Sequence, residues 1–276
     1  MKHESPDSCL ISVVMPVLNA AGHLSTALSS LALQRFRDFE IVIVDGGSSD
    51  QTIAMAQSML SADGIRHRIE PLPGSGIYEA MNHGIGLAQG EWLYVLGSDD
   101  HLVDADVFRR IAVALSEASA DVLLVHGDVW IEQPGYRYGQ AWSLPRLLDR
   151  NLSHQSAFYR CSAIQSLGLS YNPRYTLYAD WDYNLKLLSC GRFQYVPIMI
   201  ASYACTGASS QWVDALFLAE KEANALAYFG LRSLWRLPPD RYALAINSES
   251  SLLKQLGLAC NRMLWVFRRL LQRHRS

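Results

Sequence analysis

The chain has few charged residues and lacks a long apolar run. Only 18% of its 276 residues are charged, and the 24 Lys and Arg nearly balance the 26 Asp and Glu. A net charge of -2 argues against a protein whose whole surface binds nucleic acid. No stretch is apolar for long enough to span a bilayer. The composition therefore predicts a globular protein that does not bind nucleic acid.

Cysteine is also scarce. The 5 cysteines are scattered, and none belongs to a Cys-x-x-Cys pair. This usage favours free thiols in a reducing compartment over a disulfide framework or a zinc site. Residues 1–9 are polar, and the apolar run that follows is too short for the core of a signal peptide. We therefore expect a cytoplasmic protein with a disordered lead-in over residues 1–9.

The first hundred residues alternate regularly between strand and helix patterns. Short apolar runs rich in β-branched residues are typical of buried strands, and they lie at 10–15, 40–44 and 92–96, with a weaker strand pattern at 65–69. Helical spacing of apolar residues separates them, at 21–33, from Ser49 or Asp50 onward, and at 77–88. This alternation predicts an α/β fold with a mainly parallel central sheet.

Polar and acidic residues follow three of these strands. Asn19 follows the first strand, Asp45 ends the second, and the pair Asp99 and Asp100 follows the fourth. Right-handed crossovers place these strand ends along one edge of the sheet, where open α/β sheets bind ligands. Adjacent carboxylates suit a divalent cation that carries phosphates. The alternative is that they only cap the next helix.

The second half of the chain is less regular. The sequence predicts a strand at 121–129 with a hairpin reaching Tyr138, a helix from about residue 178 to 188, and a strand at 193–203. No linker divides the chain before about residue 230. We therefore expect one domain over residues 10–230 and a separate helical extension over residues 231–276.

Six segments occur in an order that resembles a known family. They are SVVMPVLN (12–19), VDGGSSD (44–50), GIYEAMNHGI (76–85), GSDD (97–100), HQ (154–155) and ADWD (179–182). In this respect the chain resembles the inverting nucleotide-sugar glycosyltransferases of glycosyltransferase family 2, in particular the bacterial enzymes that build exopolysaccharide and O-antigen units. The resemblance implies a single GT-A-like nucleotide-binding domain whose second half supplies the acceptor site.

The resemblance also implies a role for each matching residue. Asn19 would lie beside the base or ribose of the donor, and Asp45 would bind the edge of the base. Asp99 would contact the ribose or support the metal, and Asp100 would bind Mg²⁺ or Mn²⁺ at the diphosphate. Asp180 would be the catalytic base, although its local pattern alone favours a helix cap.

Two further polar residues and three departures complete the comparison with the family pattern. His154 and Gln155 would bind the donor phosphates or the acceptor, or they would be structural polar groups in a loop. Gly97 stands where the Asp-x-Asp-Asp pattern begins, Gly74 stands where relatives often carry Asp, and His83 where they often carry Lys. These departures bear on which nucleotide and which sugar the donor carries more than on the transfer reaction itself.

The C-terminal stretch is amphipathic and cationic. Apolar residues share one helical face over residues 252–273, basic residues occupy the other, and no acidic residue follows Glu249. This pattern predicts a helix that lies in an anionic membrane interface, at the inner face of the cell membrane, where the polyprenyl-linked acceptor that the resemblance implies would sit. The alternatives are a helix docked on the domain or paired in a dimer.

The sequence therefore predicts a metal-dependent inverting glycosyltransferase of surface-polysaccharide synthesis. Its partners would be a nucleoside-diphosphate sugar, a lipid-linked saccharide acceptor and the membrane surface. Two alternatives remain at this stage: a nucleotidyltransferase, and a degenerate transferase fold that acts as a binding or scaffold protein.

Overall fold

The computed structural model describes residues 9–204 and 212–230. The predicted lead-in (except Cys9) and the predicted extension over residues 231–276, including its amphipathic helix, lie outside the described residues. Contacts between Cα atoms divide the chain into a first compact unit that ends at Asp214 and a second that begins at Ala215. In the second unit, the described residues form one helix, α8 (Ala215–Phe229).

The first unit is an α/β domain. Its strands are β1 (Cys9–Val17), β2 (Phe39–Asp45), β3 (Arg66–Pro71), β4 (Gly90–Val95), β5 (His101–Leu102), β6 (Val122–Ile131), β7 (Tyr136–Tyr138), β8 (Ala157–Arg160) and β9 (Arg192–Tyr203). Its helices are α1 (Leu24–Ala32), α2 (Thr52–Ala62), α3 (Ile77–Leu87), α4 (Val107–Glu117), α5 (Leu144–Asp149), α6 (Cys161–Leu167) and α7 (Ala179–Cys190), with a 3₁₀ turn at His154–Ser156.

The nine strands of the described residues belong to one sheet in the order β3-β2-β1-β4-β8-β6-β9-β5, with β7 paired to β6. The strands β3, β2, β1 and β4 are parallel, as the alternation of strand and helix predicts. Beyond β4 the sheet is mixed, because β8 is antiparallel to both β4 and β6 while β9 is parallel to β6. The predicted α/β class and the hairpin to Tyr138 are confirmed.

The central strands are buried because helices cover both faces of the sheet. β1 is Ile, Val and Met-rich, and all but one of its nine residues are buried. β1 also continues through Pro16, where the sequence pattern ended it. β4 stops pairing at Val14, so Pro16 lies where β1 has a partner on one side only, a position that tolerates proline.

Helix α3 lies close to β1 and β2 because it carries a glycine at the contact. A Cβ atom added at Gly84 would lie 2.5 Å from Cγ1 of Val14 and 3.2 Å from Cγ2 of Val44. At Gly86, on the same helix, an added Cβ would meet nothing within 4 Å.

These two glycines provide a paired test of the packing. We expect Gly84→Ala to lower the free energy of unfolding by about 1–3 kcal/mol, because overpacking exceeds the gain in helix propensity. Gly86→Ala is expected to raise it by about 0.5–1 kcal/mol. Urea denaturation of both variants measures the difference. Effects of the same sign in both would contradict the close packing of α3 on β1.

No helix among residues 9–204 and 212–230 is both long enough and apolar enough to cross a membrane.

Candidate active site

The candidate residues lie at one edge of the sheet, where β2, β1 and β4 end. Val17 at the end of β1 pairs with Asp45 at the end of β2, and Val14 pairs with Val95 at the end of β4. The loops after all three strands therefore border the same edge, as parallel pairing requires.

Asn19 and Asp45 form the first of two groups at this edge. Asp45 is buried, and its carboxylate accepts hydrogen bonds from the backbone N–H (3.0 Å) and the hydroxyl (2.6 Å) of Ser48. The N–H of Asn19 donates to the Ser48 hydroxyl at 2.9 Å, and Asn19 Oδ1 accepts from the N–H of Ser49 at 2.9 Å. Asn19 adopts a left-handed φ of 49°, which asparagine tolerates better than most residues. These bonds join the loops after β1 and β2 into one wall of the site.

Asp100 is the most buried acid of the second group. Only 2% of its surface is exposed. Its Oδ2 accepts a 2.8 Å hydrogen bond from Nε2 of Gln155, which belongs to the 3₁₀ turn before β8. Its Oδ1 faces the N–H of Ala204, after β9, at 3.4 Å. The structure thus places Asp100 where the loop after β4 meets the second half of the domain.

Burial, with a smaller contribution from the negative charge of neighbouring Asp99, raises the pKa of Asp100 to about 6. The hydrogen bond from Gln155 and the nearby His154 act in the opposite direction. A buried carboxylate held near a second carboxylate is a position at which a cation would favour ionisation.

Gly97 provides the space for this arrangement. A Cβ atom at Gly97 would lie 2.6 Å from Oδ2 of Asp100 and 3.1 Å from Oδ1 of Asp99. The absence of an acid at this position, which departs from the Asp-x-Asp-Asp pattern, therefore leaves room for both carboxylates to turn toward residue 97.

Asp180 lies in the first turn of α7 and is 13% exposed. Its Oδ2 accepts a 2.8 Å hydrogen bond from Nδ2 of Asn151 and lies 3.5 Å from Nδ1 of His154. Its Oδ1 accepts from the N–H of Trp181 at 2.8 Å. The carboxylate is thus held by three neighbours without being fully enclosed.

His154 connects the carboxylates electrostatically. Burial opposes its charged form, but the contact with Asp180 and the charges of Asp180, Asp100 and Asp99 outweigh burial and raise its pKa above 6.5. The structure therefore brings together Asp99, Asp100, His154, Gln155 and Asp180, whereas Asn19 and Asp45 form their own group at the neighbouring strand ends.

Asn151 is a site residue that the sequence reasoning missed. It donates to Asp180 and its Oδ1 accepts a 3.1 Å hydrogen bond from Asn184 of α7. Its position three residues before His154 was the only sequence signal.

The site offers few protein side chains as metal ligands. Within residues 9–204 and 212–230, no group of three or more His, Cys, Asp or Glu side chains is placed to hold a metal ion. Any cation bound here would need substrate or water oxygens to complete its shell, which Mg²⁺ commonly uses.

The chain is similar to proteins of one family. The model of the family described as "Glycosyl transferase family 2" matches residues 12–168. A "PGL/p-HBAD biosynthesis glycosyltransferase" from Mycobacterium tuberculosis is 40% identical over 213 residues, which are 76% of this chain and 82% of that protein.

Two solved structures share the fold. TarS 1-349 from S. aureus, in complex with UDP-GlcNAc, has a TM-score of 0.63 at 19% identity, covering 87% of this chain and 79% of that one. The mannosyltransferase PcManGT from Pyrobaculum calidifontis, in complex with GDP-Man and Mn²⁺, has a TM-score of 0.57 at 18% identity, covering 95% and 81%. This chain spans 50% of the length of a longer TarS chain.

Proposed function

The chain belongs to glycosyltransferase family 2, and from this premise we propose that it transfers a sugar, with inversion, from a nucleoside-diphosphate donor to a saccharide acceptor. The observation that carries the proposal is the cluster in which Gln155 holds Asp100 at 2.8 Å and His154 lies 3.5 Å from Asp180. It combines a buried acid for the phosphate end of the donor with a partly exposed acid for the acceptor.

Asp180 is the proposed base. Inverting transfer needs one carboxylate that accepts the proton of the acceptor hydroxyl as this attacks the anomeric carbon. Oδ2 of Asp180 contacts Asn151 and His154, whereas Oδ1 accepts one hydrogen bond, from the N–H of Trp181, and a carboxylate oxygen has a further lone pair for the acceptor. Asp180 lies in the first turn of α7, with its Oδ2 3.5 Å from Nδ1 of His154.

Asp100 and Asp99 are the proposed residues that hold a divalent cation, Mg²⁺ or Mn²⁺. Their hard oxygen atoms and the raised pKa of Asp100 fit such an ion. Bound there, the cation would supply Lewis-acid stabilisation of the leaving diphosphate. Gln155 keeps the Asp100 carboxylate oriented at the end of β4.

The first group is the proposed site for the nucleoside. Asp45 and Asn19 hold the loop of residues 45–50 through Ser48 and Ser49, so this wall is ordered by the protein itself. We assign Asp45 to the edge of the base and Asn19 to the base or ribose. A solved neighbour with the same fold binds UDP-GlcNAc, which supports a nucleotide-sugar donor.

For the acceptor we propose a lipid-linked saccharide reached from the inner face of the membrane. The relative at 40% identity is named "PGL/p-HBAD biosynthesis glycosyltransferase", which supports sugar transfer as the reaction. The C-terminal helix that would contact the membrane lies outside the described residues.

A panel of UDP-, GDP- and dTDP-sugars tests the proposal on the purified full chain with Mn²⁺. We expect slow turnover of one donor, loss of this turnover with a chelator, and recovery when Mn²⁺ is restored. With a saccharide acceptor, NMR of the product is expected to show the inverted anomeric configuration.

Two results would contradict the proposal. If no donor is either bound or consumed, the site assignment is wrong. If a donor binds with Mn²⁺ but stays intact in the presence of saccharide acceptors, a binding module becomes the better description.

A further inference from the structure

The segment that leads into Asp180 has no regular secondary structure of its own. It runs from the end of α6 to the start of α7, and we call residues 171–178 the 171–178 loop. Asp180 follows this loop by two residues. The contacts that hold the loop therefore also determine the position of the first turn of α7, which contains Asp180.

One end of the loop is held by Asn82 of α3. Its Nδ2 donates to the backbone carbonyl of Tyr171 at 2.9 Å, and its Oδ1 accepts from the N–H of Tyr171 at 2.8 Å. A single side chain thus satisfies both backbone groups of Tyr171, much as a neighbouring strand would.

The other end is held by Tyr78, also of α3. The Tyr78 hydroxyl donates to the backbone carbonyl of Leu177 at 2.5 Å. The N–H of Leu177 donates to Oδ2 of Asp214 at 3.0 Å, and that of Tyr178 reaches the same oxygen at 3.4 Å. Side chains distant in sequence therefore satisfy the backbone of Leu177, three residues before Asp180.

Tyr78 and Tyr171 are neighbours that differ in the hydrogen bonding of their hydroxyl groups. Their ring centroids are 5.4 Å apart, and both rings are buried. Burial, and after it the negative charge of Asp180, raises the pKa of both phenols, so each lies close to the Asp180 carboxylate. Among the described residues, however, the Tyr171 hydroxyl has no hydrogen-bond partner, whereas that of Tyr78 bonds Leu177.

We propose that Tyr78 is a positioning residue of the transfer reaction, whose hydroxyl holds the Leu177 carbonyl and thereby sets the place of Asp180. This inference rests on the proposed function of Asp180 as the base. Helix α3 packs on the same strands, β1 and β2, that carry the nucleoside wall at their ends. Tyr78 therefore connects the donor half of the site to the residue that would activate the acceptor.

The test compares Tyr78→Phe with Tyr171→Phe. Both remove one buried hydroxyl from adjacent rings, but only Tyr78→Phe removes a hydrogen bond to the loop. We expect Tyr78→Phe to lower kcat for transfer about tenfold with the KM for the donor unchanged, because small misplacements of a reacting group are costly. Tyr171→Phe is expected to retain kcat within about twofold.

A double-mutant cycle shows whether Tyr78 acts through Asp180. In an Asp180→Asn background, Tyr78→Phe is expected to cause no further loss, because the group it positions is already inactive. Hydrogen exchange provides a readout that needs no activity. Amides of residues 177–181 are expected to exchange faster in Tyr78→Phe than in Tyr171→Phe.

The outcomes separate this inference from the proposed function. Equal kcat values and equal exchange in the two Tyr→Phe variants would overturn the role of Tyr78 while leaving Asp180 as the base. An additive loss in the double variant would also overturn it. Full activity of Asp180→Asn alone would instead overturn the proposed function, and the inference with it.

Discussion

Asp180→Asn is expected to lower kcat for sugar transfer by about 10³-fold, because an amide cannot accept the proton of the acceptor hydroxyl. The substitution preserves the shape of the side chain, and its amide oxygen can accept the hydrogen bond from Asn151, but the bond that Asp180 accepts from the N–H of Trp181 is lost. We therefore expect a loss of stability of about 1 kcal/mol and an unchanged KM for the donor. Steady-state transfer kinetics, with thermal unfolding of the same preparation, measure both.

Asp182 in the same helical turn is the matched control. It is fully buried and pairs with Lys186 at 2.6 Å, so it points away from the site toward the helix's own next turn. Asp182→Asn is expected to lower the free energy of unfolding by about 1–3 kcal/mol, since it removes a buried negative charge that lies 2.6 Å from Nζ of Lys186. The kcat of the folded protein should stay within about threefold of the wild type. If Asp180→Asn loses less than tenfold, or Asp182→Asn loses more activity than Asp180→Asn, the base has been assigned to the wrong carboxylate.

Asp100→Asn is expected to lower metal-supported turnover by about 10²-fold and to raise the Mn²⁺ concentration needed for half-maximal activity. The amide removes the negative charge that would hold the cation but keeps an oxygen for the hydrogen bond from Gln155. Since burial already opposes ionisation of Asp100, a neutral side chain at this position should not destabilise the fold. Titration of donor turnover with Mn²⁺ measures the shift.

Asp104, four residues further along the chain, controls for a general loss of negative charge. It is exposed and pairs with Arg110 at 2.8 Å. Asp104→Asn is expected to leave the Mn²⁺ requirement unchanged, because exposed ion pairs contribute little. The same half-maximal Mn²⁺ concentration in wild type and Asp100→Asn would remove Asp100 from the proposed metal site.

The first half of the fold follows from local patterns. The apolar runs before Asn19, Asp45 and Asp99 are buried on both faces of a parallel sheet, and such strands differ in composition from everything around them. Their order in the sheet then follows from right-handed crossovers, which bring the polar strand ends to one edge. The α/β class and the family could therefore both be obtained from the sequence.

The short elements in the second half of the fold are not readable in this way. Strand β8 has only four residues, and helices α5 and α6 have six and seven, so each is too short for a clear period. Strand β5 has two residues and exists only because β9 pairs with it. These elements are stabilised by neighbours that are distant in sequence.

The site shows the same division. Sequence alone identified the candidate residues, because Asp45, Asp99, Asp100 and Asp180 follow strand ends or open a helix in a recognisable order. Only the tertiary structure decided that Gln155 holds Asp100, that Asn151 and His154 flank Asp180, and that Tyr78 holds the loop before it. Local sequence patterns reflect the preference of each segment for strand or helix, because that preference depends on residues close in sequence. A hydrogen bond between residues 55 or 99 positions apart depends instead on how the whole domain packs.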